Sequence, residues 1–141
     1  MTTPSDDVPT LVLEDVCRIH QDGPTTITAL DHVNLTVMPG ELVAVMGPSG
    51  SGKTTLLNIA GTLDAPTSGR VFIAGNDSGY LPPAARATIR RTHVGFVFQD
   101  FNLIPTLTVL ENVSLPLELG KMPTKEARAQ GRAALEDIDQ A

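Results

Sequence analysis

The first third of the chain alternates apolar and polar residues with the period of two that is typical of β-strands. The alternation is clearest over residues 27–37, as expected for a strand with one buried face. Residues 10–19 have a similar strand-like composition, and the turn-forming residues 21–24 separate the two segments. We therefore predict two antiparallel strands over these segments, preceded by a disordered leader at residues 1–9.

Two continuous apolar runs, residues 41–46 and 94–98, lack this alternation and are short enough to be strands buried on both faces. A further strand is predicted at residues 70–74. Between these segments, apolar residues recur at helical spacing after Lys53, at Leu56, Ile59, Ala60 and Leu63. Strands interleaved with a helix in this way indicate an α/β fold.

The rest of the chain is predicted to be mainly helical. A short helix is expected at residues 84–91. Either Thr106 or Thr108 can cap a later helix, which Pro116 is expected to bend or interrupt because proline lacks the N–H for its helical hydrogen bond. Thr124 is expected to cap a last helix.

A glycine-rich loop lies between the predicted strand 41–46 and the helix after it. Its sequence, Gly47-Pro48-Ser49-Gly50-Ser51-Gly52-Lys53-Thr54, satisfies the phosphate-loop pattern G-x-x-x-x-G-K-[ST]. Glycines let the backbone turn its N–H groups toward phosphates, and the N-terminus of the helix adds positive potential. Lys53 can reach the β- and γ-phosphates, and the Thr54 hydroxyl is placed to ligate Mg²⁺. Strand, loop and helix together predict a nucleoside triphosphate site that extends to Thr55.

Composition narrows the possible functions. The 141 residues correspond to one domain, and the net charge of −6 gives no electrostatic basis for binding nucleic acid. No apolar run is long enough to span a membrane. The single cysteine, Cys17, fits a reducing compartment and is interpreted as a small buried strand residue. His32 and His93 have no ligand-like spacing and are interpreted as structural or solvated.

Taken together, these segments resemble the nucleotide-binding subunit of an ABC transporter, most of all its lipoprotein-releasing and macrolide-exporter branch. The likeness covers roughly residues 10–137. Besides the phosphate loop it is carried by Ala29-Leu30-Asp31-His32-Val33-Asn34-Leu35, Leu63-Asp64-Ala65-Pro66-Thr67-Ser68-Gly69, Val94-Gly95-Phe96-Val97-Phe98-Gln99 and Leu107-Thr108-Val109-Leu110-Glu111-Asn112-Val113. The resemblance implies a P-loop NTPase core with an N-terminal antiparallel β subdomain and, from about residue 100, the start of a helical subdomain.

The resemblance also implies ATP and Mg²⁺ as cofactors. Gln99 matches the Q-loop glutamine of the family, which approaches Mg²⁺ and the attacking water, and this match implies metal-binding and catalytic roles for Gln99 beside the catalytic role of Lys53. Gln99 follows a predicted buried strand, and the ligand groups of open α/β sheets lie at the ends of such strands. His20 stands where the family usually has an aromatic residue that stacks on adenine, and imidazole is a smaller stacking face.

The partners implied by the resemblance are a transmembrane permease subunit and a second ATP-binding subunit, at the cytoplasmic face of the cell membrane. An apolar group of exposed-looking residues fits the surface that docks on the permease: Phe98, Phe101, Leu103 and Ile104.

The signature motif, Walker B aspartate, catalytic glutamate and switch histidine of the family have no counterpart before Ala141. We therefore expect this sequence to be an N-terminal part of the domain, with no ATP turnover above background by itself. Two alternatives are a non-catalytic nucleotide-binding remnant and a small P-loop kinase. A kinase would need an acceptor pocket and an arginine-rich lid, and the only arginine cluster in the sequence, Arg86, Arg90 and Arg91, lies before Gln99.

Overall fold

The structure, a computed structural model, describes residues 8–139. The chain divides into two compact units, Met1–Gly95 and Phe96–Ala141. The leader predicted at residues 1–9 lies almost entirely outside the described residues.

The first unit contains a four-stranded antiparallel sheet with the strand order β2-β1-β3-β4. Its strands are β1 (Leu11–Asp22), β2 (Thr25–Val37), β3 (Ser68–Ile73) and β4 (Asn76–Asp77). The two N-terminal strands predicted from alternation are confirmed, and so is the strand predicted near residue 70. The two-residue β4 was not predicted, because it falls in a segment with loop composition.

Helix α1 (Lys53–Ala60) packs on this sheet and completes the apolar core of the first unit. Five residues form the buried cluster, four from strands and one from α1: Leu13, Val16, Leu30, Val71 and Ile59. Burial of apolar side chains is the main stabilising contribution to such a core. It also holds the N-terminal end of α1, and the loop before it, at a defined place beside the sheet.

The predictions of buried strands at residues 41–46 and 94–98 are wrong for this structure. Both segments lack regular secondary structure. A strand exists only when a neighbouring strand pairs with it, and neither segment has such a partner among residues 8–139. Leu42 and Met46 are accordingly 96% and 87% exposed, in spite of their apolar side chains.

The ladder between β1 and β2 is interrupted by bulges. At one of them Cys17 of β1 lies opposite both Asp31 and His32 of β2, and His32 has a positive φ of 47°. At the next, Asp15 has a φ of 53°. A bulge bends the strand and points side chains in new directions. Here the Asp15 carboxylate accepts a hydrogen bond from the exposed His32 ring, and this bond raises the pKa of His32.

Three helices follow the sheet along the chain. Helix α2 (Pro83–His93) ends the first unit and confirms the helix predicted at residues 84–91. The second unit contains α3 (Val109–Leu119) and α4 (Thr124–Asp139).

Thr108, one of the two predicted caps, is the N-cap residue of α3. The Thr108 hydroxyl accepts a hydrogen bond from the backbone N–H of Glu111, and the Glu111 carboxylate accepts one from the backbone N–H of Thr108. The hydrogen bonds that the Glu111 carboxylate accepts from the N–H and the hydroxyl of Thr108 lower the pKa of Glu111.

One of the alternatives expected at Pro116, an interruption, does not occur, and the cap expected at Thr124 is wrong. Helix α3 is not interrupted at Pro116 but continues to Leu119, and the Pro116 carbonyl still accepts a hydrogen bond from the Gly120 N–H at 3.1 Å. Thr124 is the first residue of α4 and not the cap before it, and its hydroxyl donates to Glu118 at 3.4 Å.

Small residues let α3 and α4 approach closely. Ser114 and Ala127 are fully buried, and a Cβ on Gly131 would lie 3.4 Å from the Ser114 Cβ. Arg128 of α4 also forms an ion pair with Glu111 of α3 at 3.1 Å. The second unit therefore contains a helical hairpin in which small residues lie where the two helices approach each other.

Candidate functional site

The loop between Gly47 and Gly52 curls back on itself before α1 begins. The Ser51 N–H donates to the Pro48 carbonyl at 3.3 Å. Gly50 and Gly52 have φ angles of 80° and 87°, which is the left-handed region that glycine enters without strain. A Cβ on Gly52 would also collide with the backbone carbonyl oxygen of Ala29 in β2. Glycine at position 52 thus allows the loop to lie directly against the sheet.

The N-terminus of α1 lacks the features that stabilise an ordinary helix start. Its N-cap residue is Gly52, no side chain caps it, and no acidic residue lies in its first turn. Lys53, the first helical residue, places a positive charge at the positive end of the helix dipole. The first N–H groups of a helix have no partner within the helix, and negatively charged groups are stabilised there. This helix start is therefore suited to an anion.

The Lys53 ammonium group lies over the loop. Its Nζ atom donates to the carbonyl oxygens of Gly47 at 2.8 Å and Pro48 at 2.6 Å, and it lies 3.5 Å from the Ser51 hydroxyl. These acceptors are exposed and uncharged. The ammonium is thus held beside the helix start, and no carboxylate of residues 8–139 forms an ion pair with it.

A cavity of about 510 Å³ opens at this place. One side is the loop and the first turn of α1, and the other is the beginning of β2. The lining residues are Ile27, Thr28, Ala29, Ser49, Gly50, Gly52, Lys53, Thr54 and Thr55. The phosphate-loop pattern predicts the loop residues but not the three residues of β2, because nothing in their types marks them as ligand-binding.

His20 is not a lining residue of this cavity, but it lies in β1 beside one that is. In the β1–β2 ladder it pairs with Ile27, a lining residue, and directly paired residues point to the same face of a sheet. Its side chain is half-buried.

Gln99 belongs to the second unit, where it is exposed and lies in a segment without regular structure. The same segment contains the four predicted docking residues, and all of them are exposed. The fractions are 46% for Phe98, 95% for Phe101, 57% for Leu103 and 43% for Ile104. Over residues 8–139, no helix has both the length and the apolar character needed to cross a bilayer.

Comparison with known proteins gives consistent results. A family model described as "ABC transporter" matches residues 30–141. The chain is 42% identical over 128 residues to the lipoprotein-releasing system ATP-binding protein LolD of Pseudomonas fluorescens. This match covers 91% of the chain and 56% of LolD. This chain is also 42% identical over 130 residues to the macrolide export ATP-binding/permease protein MacB of Sodalis glossinidius. That match covers 92% of the chain and 20% of MacB.

A solved structure is similar as well. It is the dimeric post-hydrolysis state of an ATP-binding cassette bound to ADP and Pi, with 46% identity and a TM-score of 0.80. The match covers 89% of this chain and 56% of that cassette. The chain therefore spans about half the length of the cassette-sized proteins that it matches.

Proposed function

This chain belongs to the ABC transporter family, and on that basis we propose that it is the ATP-binding part of a transporter, with the triphosphate of ATP held by residues 47–55. The observation that carries the proposal is the start of α1. It has a glycine loop, no side-chain cap, no acidic residue in its first turn, and a lysine as its first residue. Each of these features weakens an isolated helix, and each favours a bound polyphosphate.

Different groups of the loop are proposed to contact different phosphates of ATP. Backbone N–H groups from Ser49 to Thr55 donate to the α- and β-phosphates. The Lys53 ammonium exchanges the carbonyl oxygens of Gly47 and Pro48 for oxygens of the β- and γ-phosphates, where a charge-assisted bond is stronger than a neutral one. Lys53 thereby stabilises negative charge on the transferring phosphoryl group.

The Thr54 hydroxyl lines the cavity and is an oxygen ligand of the kind that Mg²⁺ prefers. We propose Thr54 of the first unit as a protein ligand of Mg²⁺. For Gln99, which belongs to the second unit, we propose the roles of the family's Q-loop glutamine, metal binding and orientation of the attacking water. Bound Mg²⁺ would neutralise charge on the β- and γ-phosphate oxygens.

His20 is proposed to stack on the adenine ring, because its partner in the ladder, Ile27, lines the cavity. His20→Tyr should therefore tighten ATP binding by about 0.5–1.5 kcal/mol, the usual contribution of an aromatic pair. Titration with a fluorescent ATP analogue measures the change. His93→Tyr, at the end of α2, is the matched control and should leave the affinity unchanged. Unaltered or weaker binding by His20→Tyr would contradict the stacking role.

At the level of the transporter, we propose that ATP binding and hydrolysis drive export or substrate extraction by a membrane permease. The names of the two relatives, a lipoprotein-releasing protein and a macrolide exporter, support this class of activity. The exposed residues Phe98, Phe101, Leu103 and Ile104 supply an apolar surface for the permease. The dimeric state of the similar cassette supports a second ATP-binding subunit as partner. The protein would then act at the cytoplasmic face of the membrane.

A non-catalytic nucleotide-binding role is supported by the composition of the cavity. Its lining residues, all within the described part of the chain, include no Asp, Glu or His. Hydrolysis needs a group that holds the attacking water in line with the γ-phosphate, and Gln99 alone is a poor substitute for a carboxylate in that role. We therefore propose that these 141 residues alone bind ATP without turning it over.

Calorimetric titration of the 141-residue protein with ATP and with AMP tests both proposals. ATP should bind at least about 10-fold more tightly, because AMP lacks the two outer phosphates and their charge-assisted hydrogen bonds. Phosphate release in the presence of Mg²⁺ should stay at the buffer level. Equal affinities would contradict the phosphate site. Mg²⁺-dependent release that Lys53→Ala abolishes would instead show a self-sufficient ATPase.

A further inference from the structure

A second group of ligand atoms lies at the bulges between β1 and β2, in residues that the nucleotide site does not use. The Sγ atom of Cys17, a ring nitrogen of His32 and a carboxylate oxygen of Asp31 all lie within 4.8 Å of one another. Cys17 is only 6% exposed, whereas Asp31 and His32 are exposed. The group therefore has a buried sulfur on its inner side and is open to solvent on its outer side.

The His32 ring is oriented by carboxylates on both of its nitrogens. Nδ1 lies 2.6 Å from Oδ1 of Asp15, and Nε2 lies 3.8 Å from Oδ1 of Asp31. A histidine that binds a metal commonly donates its other ring N–H to a carboxylate, which fixes the tautomer and the ring orientation. With Nδ1 hydrogen-bonded to Asp15, Nε2 is the nitrogen left for a metal, and it lies on the side of the Asp31 carboxylate.

We propose that Cys17, Asp31 and His32 bind a divalent transition metal of the Zn²⁺ type, with Asp15 as the positioning residue for His32. A sulfur, an imidazole nitrogen and a carboxylate oxygen are all ligands of Zn²⁺, whereas Mg²⁺ and Ca²⁺ take oxygen ligands almost exclusively. Binding deprotonates the Cys17 thiol, and its proton passes to solvent. Water occupies the fourth position of the tetrahedron.

The distances require only local adjustment. In a tetrahedral zinc site the metal lies about 2.0–2.3 Å from each ligand, so neighbouring ligand atoms are about 3.3–3.6 Å apart. The separation of 3.8 Å between His32 Nε2 and Asp31 Oδ1 is already close to that range. The limit of 4.8 Å for the whole group leaves about 1 Å of closure, which side-chain rotation at exposed residues can supply.

Co²⁺ is the probe for this site, because a thiolate bound to Co²⁺ produces a charge-transfer absorption band. Cys17 is the one cysteine among the 141 residues, so any such band reports this site alone. The experiment uses the untagged 141-residue protein, since a polyhistidine tag would bind the metal itself. Equimolar Co²⁺ should produce the band, and Zn²⁺ should displace it.

The variants separate the roles within the group. Cys17→Ala should abolish the band. Asp15→Asn should weaken Co²⁺ binding roughly 10–100-fold while keeping the band, as expected for loss of the group that orients a ligand histidine. His32→Asn and Asp31→Asn should weaken binding at least as much. Asparagine tolerates the left-handed backbone at positions 15 and 32, so these variants should fold even if Cys17→Ala does not.

Thermal unfolding provides a readout that is independent of the band. A ligand that binds only the folded state raises the unfolding temperature, so Zn²⁺ should stabilise the wild-type protein and His93→Asn but not His32→Asn. Absence of a thiolate band would overturn the proposal, and so would a band that His32→Asn and Asp31→Asn leave unchanged. The nucleotide site could still bind ATP in either case, because none of these residues lines its cavity.

Discussion

Lys53→Ala is expected to remove most of the affinity for ATP. The variant loses charge-assisted hydrogen bonds to phosphate oxygens, and each such bond contributes about 1.5–3 kcal/mol. The expected loss of affinity is therefore roughly 10–150-fold. Titration of a fluorescent ATP analogue into both proteins measures it directly.

The same substitution should not destabilise the folded protein. The hydrogen bonds of Lys53 Nζ go to loop acceptors that are exposed, so water can replace the ammonium there. Alanine also favours helix more than lysine does and removes a positive charge from the helix N-terminus. We expect the free energy of unfolding without nucleotide to be unchanged or slightly higher.

Lys125→Ala, in α4, is the control for charge, because it changes the net charge equally at a residue outside the phosphate loop. Equal ATP affinities of Lys53→Ala and the wild-type protein would rule out the phosphate-loop proposal. Equal losses in Lys53→Ala and Lys125→Ala would indicate a general electrostatic effect and not a contact with phosphate.

Gly52→Ala should destabilise the protein more than Gly50→Ala, although both glycines lie in the same loop. Each has a left-handed φ, and a Cβ in that conformation costs about 1–2 kcal/mol. A Cβ on Gly52 would in addition collide with the Ala29 carbonyl, whereas nothing lies within 4 Å of a Cβ on Gly50. Forcing an extra group into packed structure lowers the free energy of unfolding by about a further 1–3 kcal/mol.

Urea unfolding of both variants without nucleotide tests this difference. The Gly52 variant should have the lower midpoint, with an unchanged dependence on urea if only stability is affected. Equal midpoints would show that the close approach between the loop and β2 is not required, and that both glycines serve backbone conformation alone.

The phosphate loop could be identified from the sequence because its chemistry is local. Gly47 to Thr54 are consecutive, and a loop of N–H groups followed by a helix start needs only the order of residue types. The capping box at Thr108 is predictable from sequence for the same reason, since Glu111 lies three residues further on. Membership of the ABC transporter family then sets aside the small-kinase alternative, which explained none of the flanking segments.

The local sequence pattern could not show which segments pair with each other as β-strands. Residues 41–46 and 94–98 read as buried strands because their side chains are apolar, but a strand also needs a hydrogen-bonded neighbour. No described strand pairs with either segment, so both remain irregular and largely exposed. An apolar run therefore indicates that a segment favours burial, and the tertiary structure decides whether a partner buries it.

The sequence by itself determined the phosphate loop, the two candidate caps near residue 108 and the alternation of β1 and β2, since each depends on residues close together in the chain. Only the tertiary structure decided which distant residues meet. Ala29 approaches Gly52, Ile27 lies beside His20, and a bulge sets Cys17 against two residues of β2. Register and bulges arise from packing two strands against one core, so a spacing of about fifteen residues between Cys17 and His32 carried no signal until the ladder brought them together.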